Sequence, residues 1–138
     1  MNGKFKITVR LALLAFLFFA AMAKPGALAY DDTLPYEAKE STNRGLAAAR
    51  QQEWETAIRY FKEAQKSATD SPSALFNLAM AYDKAGKYDM LAIAMYRAYL
   101  ASPSTQRDLK AQSQKVRERV TELEVKVEAN IQKLIQRE

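Results

Sequence analysis

Shifting the sequence by 34 residues lays Gly45 on Ala79, Trp54 on Tyr88, Glu55 on Asp89, Ala57 on Leu91, Phe61 on Met95 and Ala64 on Ala98. Small residues fall on small ones and bulky ones on bulky ones, so the chain carries one packing pattern twice. A period of this length means a supersecondary unit that buries its apolar face against its neighbours. From Tyr36 onward there is no strand-like alternation, Ala, Leu, Glu, Lys, Arg and Gln abound, and the breakers are confined to Gly45, Gly86, Pro72 and Pro103. The fold class read from this is all-α. Pro72 and Pro103 each follow a serine, so Ser71 and Ser102 are placed to cap helices whose first turn the proline occupies. Helices are expected over 36–50, 53–69, 72–85 and 88–101.

This register resembles the tetratricopeptide repeat, a helix-turn-helix unit of 34 residues. With Ala38 and Pro72 as first positions, the repeats span 38–71 and 72–105. The family's small eighth residue is then Gly45 and Ala79, its turn aromatic Trp54 and Tyr88, and its small twentieth residue Ala57. Its bulky twenty-fourth residue is Phe61 and Met95, and its twenty-seventh is Ala64 and Ala98. Tyr82, Gly86 and Pro103 complete the pattern in the second repeat. The chain departs from it at Ala48, where tyrosine is usual, at Gln52, where glycine is usual, and at Leu91, where alanine is usual; the last predicts a wider second hairpin. The resemblance implies an α-solenoid of two repeats over 37–103 that binds a peptide or protein partner in the groove lined by the first helix of each repeat. The residues it assigns to that groove are Lys39, Thr42, Asn43, Leu46, Ala49 and Arg50 in the first repeat, and Ser73, Phe76, Asn77, Met80, Asp83 and Lys84 in the second. Phe76 and Met80, one turn apart, are either the apolar anchors for a partner or core covered by the last helix. The chaperone-binding members clamp a terminal carboxylate with a lysine and an asparagine; Thr42 and Leu46 stand at those positions and argue against a clamp.

Two repeats leave an apolar face uncovered. Residues 104–138, which follow Pro103, contain neither proline nor glycine; the expectation is one long helix, about 50 Å from Thr105 at 1.5 Å per residue. It carries a heptad with Ser113, Val120, Val127 and Leu134 at a, and Leu109, Val116, Leu123 and Asn130 at d. Its first half is expected to cap the second repeat. Its second half reaches beyond two hairpins, which assigns Val120, Leu123, Val127 and Leu134 to self-association. Arg119, Lys126 and Lys133 on one flank, with Glu124 and Glu138 on the other, favour a weak parallel homodimer.

The front of the chain has a different character. Lys4, Lys6 and Arg10 precede an unbroken apolar run of thirteen residues from Leu11 to Ala23, and Ala27-Leu28-Ala29 follows Lys24-Pro25-Gly26. A membrane-spanning helix needs about 20 such residues, whereas a charged, then apolar, then small-residue order is that of a secretory signal. Residues 1–29 are read as a cleaved signal with the cut between Ala29 and Tyr30, followed by a short linker over 30–36. The mature chain is then periplasmic in a bacterial envelope or secreted, with no stable membrane span; retention of the segment as an anchor is the alternative. Four of the basic residues behind the net charge of +5 lie in this acid-free segment, which leaves +1 for the rest and no footprint for nucleic acid. With no Cys and no His in the chain, thiol nucleophiles, thiolate and imidazole metal sites and histidine acid-base catalysis are excluded. The acids Glu53 and Glu55 beside Trp54 are accounted for by a helix N-terminus. The expectation is therefore a non-catalytic adaptor or scaffold without metal or cofactor, with a structural homo-oligomer built through the last helix as the alternative.

The cleavage site is directly testable. Mass spectrometry of the protein purified from its own host should find Tyr30 at the N-terminus; an intact segment from Met1 to Ala29 in the membrane fraction overturns the signal assignment.

Overall fold

The computed structural model of the chain describes residues 33–103 and 110–137. The signal segment, the cut between Ala29 and Tyr30, and the capping of a following helix by Ser102 and Pro103 all fall on or lead into residues outside that range. The described residues form five α-helices and no strand: α1 Tyr36–Arg50, α2 Trp54–Ser67, α3 Pro72–Ala85, α4 Asp89–Ala101 and α5 Lys110–Ile135. The class is all-α, and the expected bounds of α1 and α3 hold to the residue. Ser71 caps α3, its Oγ accepting from the Ala74 backbone N–H at 3.4 Å, with Pro72 in the first turn. α2 is shorter than expected, because Glu53 and Ala68 both leave the helical region, with ψ of 69° and 65°.

α1 and α2 fold back on each other across residues 51–53. Gly45 sits where a Cβ would stand 2.5 Å from the ring of Phe61, itself 1% exposed, so the absence of a side chain sets how closely these helices approach. The turn is a Schellman closure: the Glu53 N–H donates to the Ala48 carbonyl and the Gln52 N–H to the Ala49 carbonyl, both at 3.0 Å. Such a closure requires one left-handed residue, and Gln52 supplies it at φ 61°. In the second hairpin, 34 residues on, Gly86 takes the same conformation at φ 75°.

The second helices of the two hairpins do not keep that spacing. One residue, Glu53, separates Gln52 from α2, but two, Lys87 and Tyr88, separate Gly86 from α4. Each added residue rotates a helix by about 100°. α2 buries Ala57, Ile58, Phe61 and Ala64, and α4 buries Ala92, Ile93, Tyr96 and Tyr99, a spacing of 35. Leu91, Met95 and Ala98 therefore do not hold the places expected of them: Leu91 is exposed, and Met95 and Ala98 are only partly buried. The expected widening of the second hairpin by Leu91 is accordingly corrected, since Ala92 is the small residue at the contact.

α3 is packed on all sides, with every residue from Ala74 to Tyr82 buried. It lies between α2 and α4, and α5 packs against α4. One core runs from Leu46 and Phe61 through Phe76, Met80 and Tyr96 to Val116, Val120 and Leu123 of α5. No helix among the described residues is long and apolar enough to cross a membrane.

A non-glycine residue pays about 1 to 2 kcal/mol in the left-handed region. Gln52→Gly should thus stabilise the protein by up to about 1 kcal/mol, and Gly86→Ala, with open space around it but the same φ, should destabilise it by a similar amount. Urea unfolding followed by circular dichroism reads both, and the two shifts should have opposite signs.

Candidate partner-binding surfaces

The residues assigned to the groove from the sequence do not form one open face. Asn43, Arg50 and Lys84 are exposed, whereas Leu46, Phe76, Asn77 and Met80 are buried. Phe76 and Met80 are 5% and 8% exposed; of the two alternatives for this pair, core is what the structure shows. The reason is the rotation of α4. It turns Tyr96 and Tyr99 inward, and Phe76 packs tilted against both, with ring centroids 6.2 and 5.2 Å away. Thr42 is buried too, and its hydroxyl, like those of Tyr99 and Ser113, has no hydrogen-bond partner among the described residues.

Asp83 is not open to a partner either. Its carboxylate side chain is 7% exposed and accepts from Arg119 Nη2 at 2.7 Å, Arg119 Nε at 2.9 Å and the Tyr96 hydroxyl at 3.3 Å. A forked guanidinium on a carboxylate gives direction as well as charge, so this cluster ties α3, α4 and α5 together. Burial, and then the neighbouring Asp83 charge, raise the Tyr96 phenol well above its ordinary value near 10. Tyr99 and Tyr82 are raised as well, chiefly by burial.

The self-association stripe of α5 divides. Val120 and Leu123 are buried in the chain's own core, Val127 is half-buried against it, and Leu134 is exposed. The charges expected to guide a parallel pair are also engaged within the chain: Arg119 with Asp83 and Glu122, Lys126 with Asp89 at 2.8 Å, and Glu124 with Arg97 at 2.6 Å. Pairing along the whole stripe is therefore corrected to, at most, its last turns, because α4 occupies the earlier ones.

Two open surfaces stand out among the described residues, and of their lining sequence reasoning assigned only Val127 and Leu134, to self-association. At the first, the start of α4 meets the end of α5 in a shallow cleft of about 320 Å³ lined by Tyr88, Met90, Leu91, Val127, Ile131 and Leu134. Met90, Leu91, Ile131, Leu134 and the adjoining Ile135 are between 44% and 64% exposed, an apolar platform on two rigid helices. The second lies between α2 and the turn of the second hairpin, about 430 Å³ in volume. Its floor is Ile58, Tyr82, Tyr88 and Leu91, and Arg59, Lys62 and Lys66 stand along its α2 edge. At its end Glu55 accepts from the Tyr88 hydroxyl at 3.1 Å and pairs with Lys87 at 2.8 Å; the Lys87 contact, above all, holds the Glu55 carboxyl below its ordinary range. The signal that could have found both was Leu91, an apolar residue that the 34-residue shift lays on the small Ala57. No group of acidic, histidine or cysteine side chains among the described residues is arranged to hold a metal ion. Comparison with known proteins gives no matching family model, no matching curated protein and no matching solved structure.

Stability at high pH follows from the tyrosines. Their raised values mean the folded state holds the phenolic protons more tightly than the unfolded chain does, so this contribution is complete below pH 10 and is lost as pH climbs above it. Unfolding midpoints in urea should be level from pH 7 to 9 and fall beyond 10. Tyr96→Phe should cost about 1 to 2 kcal/mol at pH 7 through the lost bond to a carboxylate, and its decline above pH 10 should be shallower than that of the parent.

Proposed function

We propose that the chain is a non-catalytic protein-interaction module exported to the cell envelope, its head two tetratricopeptide-like hairpins and its last helix both a cover for the second hairpin and an arm for docking. The observation that carries this is the apolar platform of Met90, Leu91, Ile131, Leu134 and Ile135, which lies open on helices held by the Asp83–Arg119 and Asp89–Lys126 pairs. Exposed apolar area concentrated beside a shallow cleft is what an amphipathic partner helix requires. Docking moves from the groove of the first helices to this platform because Phe76 and Met80 are spent on the core. The absence of Cys and His supports a role without chemistry, and the three-part N-terminal pattern supports export.

A second reading, a homo-oligomer built through the last helix, is favoured by one feature. The α5 stripe continues as Ile131 and Leu134 past the point where α4 ends its cover, so a second copy would find the same seam extended.

Photo-crosslinking residues placed at Met90 and at Leu134 in the host should give adducts, and one at Asn43, on the face of the first helices, should not. Adducts at twice the chain mass support the homo-oligomer and adducts of other masses the adaptor. Leu134→Asp should weaken either association about tenfold or more. Adducts at Asn43 alone would return docking to the groove.

A further inference from the structure

The cleft along α2 carries a chemistry that the platform lacks. Arg59, Lys62 and Lys66 recur at intervals of three and four residues, so they form one stripe on the exposed side of α2. None of the three has a carboxylate within ion-pair distance among the described residues, although five other cations of the chain do: Arg44, Lys87, Arg97, Arg119 and Lys126. Within the cleft the charge of Glu55 is answered by Lys87, which leaves Glu63 as the open carboxylate against three cations. The opposite wall is apolar and fixed. Tyr82 and Tyr88 meet edge to face with centroids 5.5 Å apart, Lys87 lies 5.2 Å over the Tyr88 ring, and the Tyr88 hydroxyl is anchored on Glu55.

We propose that this cleft binds an extended acidic segment of a partner protein, with carboxylates on Lys62 and Lys66 and an apolar side chain between them on Tyr82, Tyr88 and Leu91. The spacings agree. Lys62 and Lys66 are one helical turn apart, about 5 to 6 Å, and alternate residues of an extended strand are about 6.5 Å apart on one side of the backbone. The intervening residue of such a strand points the other way, toward the tyrosine wall. Recognition is thus of Asp or Glu at alternate positions around a leucine or aromatic residue, with Arg59 offering a third cation toward the Glu55 end. The aromatic wall is preorganised, so the binding energy is not spent on ordering it.

This proposal shares with the interaction-module reading only the premise that the ligand is a protein. A random heptapeptide library selected on the full mature chain tests it. The enriched sequences should carry two acidic residues at alternate positions about an apolar one. A labelled peptide made from them, followed by fluorescence anisotropy, should bind about tenfold or more weakly to the double variant Lys62→Glu, Lys66→Glu, and more weakly as salt is added. Lys62→Arg, Lys66→Arg should retain binding, and both lysines are exposed, so circular dichroism should be unchanged. Enrichment without acidic residues, no enrichment, or affinity indifferent to charge reversal overturns the proposal. Peptides whose binding survives charge reversal but is lost in Leu134→Asp would overturn it and leave the interaction-module reading standing.

Discussion

α4 leaves its turn one residue later, counted from the left-handed residue, than α2 does, and at about 100° per residue that step decides which side chains it buries. The consequences spread through the molecule. Tyr96 and Tyr99 point inward, Phe76 closes on their rings, and α3 is thereby buried on the side that would otherwise be open. Tyr96 also brings its hydroxyl to Asp83. Leu91 is carried outward and becomes a wall of both open clefts. Had the turn been one residue shorter, Leu91 would stand where Ala92 does, and the hairpin could not close at the same distance.

A carboxylate as enclosed as that of Asp83 must be paired, because an unpaired buried charge costs several kcal/mol. Arg119 is half exposed and reaches it from the last helix with two parallel bonds. The pair therefore fixes α5 in register on α3, while the apolar contacts of Val116, Val120 and Leu123 supply the burial that holds it there. Arg97 to Glu124 and Lys126 to Asp89 join α5 to α4 instead; being more exposed, they add orientation more than stability. α5 has 26 described residues, about 39 Å, against 13 and about 20 Å for α4. Among the described residues its last turns meet only the start of α4, and their apolar residues Ile131, Leu134 and Ile135 are exposed.

Much of this was legible in the residues. Helix class, the bounds of α1 and α3, the Ser71 cap and the matching turn positions Gln52 and Gly86 follow from local signals, namely capping chemistry, the scarcity of breakers and the 34-residue shift. That α5 outruns the hairpin it lies on was legible too, but the point of division was not: Val120 and Leu123, assigned to self-association, are buried in the chain's own core. What was not legible was the phase of α4. The pairing of Ala57 with Leu91 was already a poor match, but a shift by 34 and a shift by 35 each lay small and bulky residues on one another plausibly: Ala57 on Ala92 and Phe61 on Tyr96 are as good as the pairs they replace. Turn length decided between them, and nothing in Gly86-Lys87-Tyr88 announces one more residue. Phe76 and Met80 could be core or anchor on the same grounds, because their surroundings depend on that phase.

The two open clefts share Leu91 and Tyr88, and this limits how independent their occupants can be. A side chain on the apolar platform and one in the cationic cleft would both draw on the apolar surface of these two residues, and the Tyr88 ring is held by Glu55 and Lys87. The remaining walls are separate: Ile131 and Leu134 belong to the platform, and Lys62 and Lys66 to the cleft. The conflict is thus confined to a partial loss of apolar contact at Leu91 and Tyr88, on the order of 1 kcal/mol at the usual value per unit of buried area. Occupants of the two surfaces would weaken each other severalfold without excluding each other, and by linkage the effect would be equal in both directions.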